Sequence, residues 1–524
     1  MAETYFVGVD IGTQGTKTAI HSRTGALAAE AFCASELKKP GPGMVEEDPE
    51  RHFASVCSTI KSCIESAGLN PADIACVAID GQMAGTIGIG ADARPVTPYD
   101  SWLDTRCSPW IEKMKERAGT EVLGKTGNMP SFNQGPKILY WKHEFPAEYA
   151  RIKAFVQPGS YAAMRLCNLA IGKAFVDNTY LHFSGFADNA AGAWDPGLCR
   201  EFGIDQAKLP NIAKPSDIVG QVSAGAAALS GLLAGTPVAA GLGDTAASFL
   251  SCGATEPGVC VDVAGTASVF ATTSAAFMPD LASGVMGIGR SATPGLWHPY
   301  AYINGGGMNI LWFAGMIAAG LGAGAGAGLG AGAAGEKSGR PIDFGDLDAM
   351  VASLEPRADD PWFIPHLEGR VMPSDPGMRG AWAGLRWSHG LDRLYRAVLE
   401  GAGFEYAVYL AAIRRLYPEL ELKEIRMTGG GSKSRVWTST KADILGLPFR
   451  TVQGSGGAPM GSAMLAAAAV GATGNPAPLA REWLAYGDTV KPRPERKDLY
   501  VRRFAKYERL LACLAGFPGD KEDL

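Results

Sequence analysis

The 524-residue sequence predicts an α/β protein built from two large, similar domains. Three observations carry that expectation. Residues 5–32 alternate apolar runs with glycine turns, as an antiparallel meander does. A segment with helical periodicity then leads into the apolar run "IACVAIDG" (74–81), the pattern of a strand–helix–strand crossover. Much later, "GVCVDVAGTASVFATTS" (258–274) repeats the order of the opening: apolar strand, aspartate, glycine–threonine turn, second strand. A chain of this length can bury a core in each half, and the expected division is 1–250 and 251–524.

The elements follow in order. "YFVGVDIGTQGTKTAI" (5–20) reads as strand, glycine turn and second strand, and "ALAAEAF" completes the meander after the turn "RTG". "EEDPERHFASVCSTIKSCIESAG" (46–68) predicts a helix: Asp48 caps it, Pro49 takes the first turn, Phe53, Val56, Ile60 and Ile64 share one face, and Gly68 stops it. In "PVAAGLGDTAASFLSCGA" (237–254) a strand runs into Asp244 and a helix follows, which places Asp244 at an N-cap. Near the end, "RPERKDLYVRRFAKY" (493–507) predicts a helix that packs Tyr500, Phe504 and Tyr507 inward and solvates its charged face. Trp141, Trp382 and Trp387 occupy apolar positions and are expected in cores.

Composition excludes several function classes. Lys+Arg 48 against Asp+Glu 53 leaves no basic excess to track a nucleic-acid backbone, so small molecules are the expected partners. The ten cysteines are scattered and the seven histidines lack metal-ligand spacing, which fits reduced thiols in a cytoplasmic protein. "MAETYFVGVD" lacks the basic start and apolar core of a signal peptide. Residues 312–335 carry no charge and are long enough to span a bilayer, but between Ala318 and Gly335 all except Leu321 and Leu329 are glycine or alanine. A helix end running into a surface loop is expected there, with no membrane partner. Two short matches lack their context: "GTEVLGKT" (119–126) fits the P-loop pattern but follows a charged helical stretch, and "GAGAAG" (330–335) lies in the Gly/Ala tract.

The chemistry lies at the glycine turns. Gly12, Thr13 and Gly15 leave amides and hydroxyls free to donate, so the turn can form a nest for phosphate. Asp10 cannot face phosphate without a cation between them; it either holds a hydrated magnesium ion or accepts turn hydrogen bonds, and the segment alone leaves both open. Asp244 is likewise either a helix cap or a catalytic carboxylate.

Across nearly its whole length the sequence resembles the FGGY family of carbohydrate kinases, most closely the xylulokinase branch. Ordered agreement carries the resemblance: "DIGTQGTK", "DGQMAG", "YDSWLDTR", "GPKILYWK", "GLGDTAAS", "VAGTAS", "RGAWAGLRWSHGLDRLYRAVLEG" and "TGGGSKSRVWTSTKADILGLP". The resemblance implies two actin-like, ribonuclease H-like domains flanking a central cleft, binding MgATP and an open-chain sugar or polyol. It implies Asp244 as general base and substrate contact, and Asp10, with Asp244, near magnesium. Gly12, Thr13, Gln14, Lys17, Gly265, Thr266, Gly307, Gly430, Gly431 and Ser434 match the nucleotide side; Gln82, Met83, Trp102 and Asp104 match the sugar side.

The departures fall mostly on the sugar side. Ala84 stands where xylulokinases usually carry histidine, and Leu103 where they carry asparagine. "QPGSY" (157–161) lacks the aspartate usual before its tyrosine, Leu311 replaces a polar nucleotide-side residue of some members, and Arg393 is unusual in the second signature. Lost polar partners alter which sugar is accepted more readily than whether transfer occurs. The implied activity is therefore ATP-dependent phosphorylation of a terminal hydroxyl of a small sugar, a pentulose such as xylulose. The alternatives are another ketose or polyol, such as ribulose or erythritol, and an actin-like nucleotide switch without kinase activity. A homodimer is compatible with either.

Overall fold

The computed structural model describes residues 3–320, 344–454 and 456–515. The described residues divide into two compact units that interleave in sequence. The first comprises Met1–Pro257, Thr273–Pro299 and Gln453–Ala485; the second comprises Gly258–Thr272, Tyr300–Val452 and Tyr486–Leu524.

In the first unit the meander forms as expected, with strands Tyr5–Gly12, Gly15–Ser22 and Leu27–Ala34. The helix Pro49–Ala67 begins where Asp48 accepts the Glu50 amide and ends at Gly68 in the left-handed conformation. Its Phe53, Val56, Ile60 and Ile64 are buried against Val7, Val9 and Ile11 of the first strand. Each such side chain contributes roughly 1.5–3 kcal/mol when removed from water, which anchors the strand that carries Asp10. Strand Ile74–Gly81 returns parallel to Tyr5–Gly12, and this register brings Asp80 beside Asp10. The other side of the sheet is covered by helix Ala458–Ala469, which lies so close that a Cβ on Gly8 would fall 1.8 Å from the Pro459 carbonyl oxygen. That approach is why a segment late in the chain belongs to the first unit.

The second unit repeats the plan. Strands Val259–Ala264 and Ser268–Thr272 form an antiparallel hairpin, Trp297–Ile303 pairs with the second of them, and Glu424–Thr428 and Phe449–Gln453 extend the sheet in parallel from the first. Counting the strands named here, the order third–second–first–fourth is common to both sheets, so the repeated sequence pattern corresponds to a repeated fold.

Some expectations need correction. Residues 119–126 lie inside helix Ser108–Thr126, consistent with discarding the P-loop match. Trp141 is buried, but Trp387 is fully exposed, because it sits in a turn before helix Leu391–Leu416 and not on a packed element. Tyr500 and Tyr507 pack inward as expected, yet Arg503 of the same helix is also buried, donating to the carbonyls of Asp360 and Pro361 and to Glu400. Most of the Gly/Ala tract 318–335, including "GAGAAG", lies outside the described residues. Among the described residues no helix is long and apolar enough to cross a membrane, and none of the ten cysteines is joined in a disulfide.

Candidate active site

In the first unit three aspartates gather at the ends of neighbouring strands. Asp10 closes Tyr5–Gly12, Asp80 lies opposite it on Ile74–Gly81, and Leu242–Gly243 pairs with Asp80 and Gly81 to deliver Asp244. Two helices hold the group in place: Ser462 donates to Asp80 Oδ2 at 2.5 Å, and a Cβ on Gly461 would meet the Ala247 carbonyl at 2.2 Å, so helices Ala458–Ala469 and Asp244–Ser251 touch through backbone.

Asp244 is the first residue of its helix, with Gly243 at the N-cap position. The expected N-cap is displaced by one residue because Gly243 still pairs with the sheet, its own amide donating to Thr179 Oγ1 at 2.9 Å. Asp244 Oδ1 accepts from the Thr245 amide at 2.6 Å and its hydroxyl at 3.2 Å, which leaves Oδ2 for an external proton.

The electrostatics are those of crowded carboxylates. Burial, then the charge of Asp10, pushes the Asp244 carboxyl up to about 7. Burial pushes the Asp10 carboxyl up to about 6, against the pull of Lys17. Asp80 is held well above the ordinary carboxylate range by burial and Asp10. Asp10 Oδ1 and Asp80 Oδ1 are buried without a hydrogen-bond partner, and such oxygens suit a cation. Among the described residues no group of three or more His, Cys, Asp or Glu forms a metal cage. A hydrated magnesium ion held through one or two carboxylates does not require one. Asp80 was missed in the sequence, although "AIDG" repeats the aspartate–glycine strand ending of "VDIG".

The turn Gly12–Gly15 joins the sugar-side residues by hydrogen bonds. Trp102 Nε1 donates to Thr13 Oγ1 at 2.8 Å, Thr13 Oγ1 donates to Gln82 Oε1 at 3.4 Å, and Gln82 Nε2 donates to Glu47 Oε1 at 2.9 Å. Ser35 buttresses the turn through the carbonyls of Thr13 and Gln14. Lys17, on Gly15–Ser22, pairs at 2.9 Å with Glu30 of the edge strand Leu27–Ala34. Met83 is buried under Gly243, where a Cβ would meet its methyl at 2.4 Å. Asp104 is tied to Arg106 and the Val45 amide, and Lys137 donates to the carbonyls of Ser101 and Asp104, so Asp104 shapes its loop. Trp102 and Leu103 project from that loop into solvent.

The second unit assembles its own glycine cradle. Gly307 N donates to the Gly265 carbonyl at 3.0 Å and Met308 N to that of Thr266 at 3.1 Å, seating the start of helix Gly306–Gly320 on the turn. A Cβ on Gly307 would lie 2.6 Å from Gly265 O, and one on Gly431 2.8 Å from Ala264 Cβ, whereas Gly430 has open space. Ser434 caps helix Arg435–Leu445 by accepting the Trp437 amide at 3.0 Å. Asp262, the counterpart of Asp10 in the repeat, differs in its pairing: Lys441 forms a salt bridge to Oδ2 and Tyr406 donates to Oδ1 at 2.7 Å. Only the first turn keeps a carboxylate with an unused oxygen.

Models of the N-terminal and C-terminal domains of the FGGY family of carbohydrate kinases match residues 5–251 and 264–470. The chain belongs to the FGGY family of carbohydrate kinases. Among its relatives, the xylulose kinase of Escherichia coli (strain K12) is 27% identical over 470 residues, covering 88% of this chain and 89% of the relative. The L-xylulose/3-keto-L-gulonate kinase of the same organism is 26% identical over 533 residues, covering 98% of both. A crystal structure of xylulose kinase from Rhodospirillum rubrum matches with a TM-score of 0.86 at 24% identity, covering 98% of this chain and 99% of that one, a likeness that carries the fold. The FGGY chain described here is a carbohydrate kinase, similar to xylulose kinases, with the family's actin-like, ribonuclease H-like architecture in both units.

Proposed function

We propose that this kinase transfers the γ-phosphoryl group of ATP to a terminal hydroxyl of a small open-chain sugar, a pentulose such as xylulose, with Asp244 as general base. One observation carries the assignment of the base: Asp244 has one oxygen held by Thr245 and the other left for a substrate proton, at a helix start and with its carboxyl raised to about 7. A base is most effective when its pKa lies near the working pH. Asp244 Oδ2 takes the proton as the hydroxyl oxygen attacks the γ-phosphorus, and ADP departs with the electron pair of the broken P–O bond.

Phosphoryl transfer is catalysed mainly by positioning and charge stabilisation. The amides of Gly12–Gly15 and of Gly265–Thr266 would cradle phosphates, and the Gly307 helix start would add its dipole. Gly430 and Gly431 would face the adenosine. The unpartnered oxygen of Asp10, supported by Asp80 and Asp244, suits magnesium, which would supply charge neutralisation of the phosphates. Gln82, Met83 and Trp102 would meet the sugar, with Asp104 setting their loop. The setting is the cytoplasm.

Ala84 and Leu103 favour a second substrate reading, another ketose or polyol such as ribulose or erythritol, because neither side chain can bond a hydroxyl. A coupled ADP-release assay over pentuloses, hexuloses, tetritols and pentitols separates the two. Turnover of a pentulose supports the first, turnover of polyols alone supports the second, and no turnover of any member overturns both.

A further inference from the structure

We propose that Glu47, backed by His52, is a positioning residue: its carboxylate sets the direction of the hydrogen-bond chain through Gln82 and Thr13 to Trp102, and so orients the indole offered to substrate. The inference rests on the sugar-side role given above to Gln82 and Trp102; nothing in the sequence pointed to Glu47 or His52.

Donor and acceptor chemistry leaves one polarity for this chain. An indole N–H only donates, so Thr13 Oγ1 must accept from Trp102 at 2.8 Å. An ionised carboxylate only accepts, so Gln82 must turn its NH₂ toward Glu47 Oε1 at 2.9 Å and its oxygen toward Thr13. The single Thr13 proton is then committed to Gln82 Oε1 at 3.4 Å. His52 Nε2 lies 3.0 Å from Glu47 Oε2 and closes the far end, so every donor in the chain points to Glu47. Burial makes the arrangement exacting: Gln82 is 1% exposed, Glu47 3% and His52 5%, whereas Trp102, at 37%, is the exposed end of the chain. Such buried networks act as a unit. Two consequences follow for the turn. The Thr13 hydroxyl proton is turned toward Gln82, so the backbone amides are the turn's main donors to phosphate. The Trp102 ring is held from a residue three hydrogen bonds away.

Glu47→Gln keeps size and burial but lets the Gln82 carboxamide flip, which removes the fixed polarity. The expected result is a rise of roughly three- to tenfold in sugar KM, the scale of one oriented hydrogen bond, with kcat and ATP KM within about twofold of the parent. In a Trp102→Phe background, which lacks the indole N–H, Glu47→Gln should add nothing to sugar KM. A merely structural role would lower the unfolding temperature without this KM-against-kcat split, and effects that multiply across the double variant would overturn the proposal. A readout independent of catalysis uses the indole ¹⁵N–¹H resonance that disappears in Trp102→Phe. Glu47→Gln should shift or double that resonance and leave the other indoles in place. An unmoved resonance overturns the proposal even if sugars are phosphorylated; a moved resonance in a protein that phosphorylates no sugar upholds the chain and sinks the kinase assignment of its end.

Discussion

Alanine at Gly307 adds one methyl group where the structure leaves no room. The new Cβ would lie 2.6 Å from the Gly265 carbonyl oxygen, and ordinary contact begins at 3.4 Å, so the helix start and the turn must part by about 0.8 Å. The 3.0 Å hydrogen bond from Gly307 N to that same oxygen then stretches past bonding range. One lost backbone bond costs about 1 kcal/mol, a small loss for the fold. The site is more sensitive, because a displacement near 1 Å can cost ~10²-fold when groups must be aligned for transfer. The expected outcome is a 10- to 100-fold fall in kcat/KM for ATP, with sugar KM little changed. Gly430→Ala serves as the control for stability, since no heavy atom lies within 4 Å of its added Cβ. The assay is steady-state phosphorylation with ATP varied, alongside calorimetric unfolding. If Gly307→Ala keeps parental kcat/KM for ATP, the Gly265–Gly307 contact does not shape the nucleotide site.

Asp10→Ala should raise the magnesium needed for half-maximal rate by an order of magnitude or more, read from magnesium titrations at saturating ATP; an unchanged requirement refutes its place near the ion. Lys441→Met strands the buried Asp262 carboxylate and should destabilise the protein by roughly 3–5 kcal/mol, while Asp262→Asn combined with Lys441→Met should recover much of that in urea unfolding. Burial holds His21 down to about 4, so the native state refuses a proton that the unfolded chain accepts below about 6.5. Stability should therefore fall as pH drops from 6.5 toward 4, by up to about 1.4 kcal/mol per pH unit from this group, and His21→Gln should flatten the slope. The acid limb of the sugar-phosphorylation profile should lie near pH 7, activity rising as Asp244 loses its proton, and should move lower as magnesium is increased.

What was legible in the sequence was what local chemistry decides. Asp48, Pro49 and Gly68 bound their helix because capping involves neighbours in the chain. The two hairpins were visible as repeated strand and turn patterns. Asp80 was not, because its place beside Asp10 depends on a parallel register that no local pattern encodes. The Asp262–Lys441 pair spans 179 residues and was equally hidden. Trp387 misled because hydrophobicity implies burial only when an element packs over the residue. Arg503 misled in the opposite direction, its charge suggesting solvent where carbonyls and Glu400 receive it. Gly307 and Gly431 drew notice only through the family resemblance; the close backbone approaches that demand glycine appear in three dimensions. The Glu47–Gln82–Thr13–Trp102 chain joins four separate segments, so Gln82, Thr13 and Trp102 drew notice singly, Glu47 not at all, and none of them as a unit.

Asp244→Asn tests the central claim most directly. Asparagine matches aspartate in size and keeps an oxygen for the Thr245 amide, so the helix start should survive, but it cannot take a proton at neutral pH. A positioned general base contributes ~10²- to 10⁴-fold in rate, and the loss should fall mainly on kcat, with some rise in sugar KM. The measurement is steady-state phosphorylation of the best sugar in the panel, with ATP binding and thermal unfolding on the same sample. A folded, ATP-binding variant with kcat reduced at least a hundredfold is the predicted result. A folded variant that turns over within about tenfold of the parent, a barrier change near 1.4 kcal/mol or less, would leave Asp244 a residue of the helix start and require another proton acceptor.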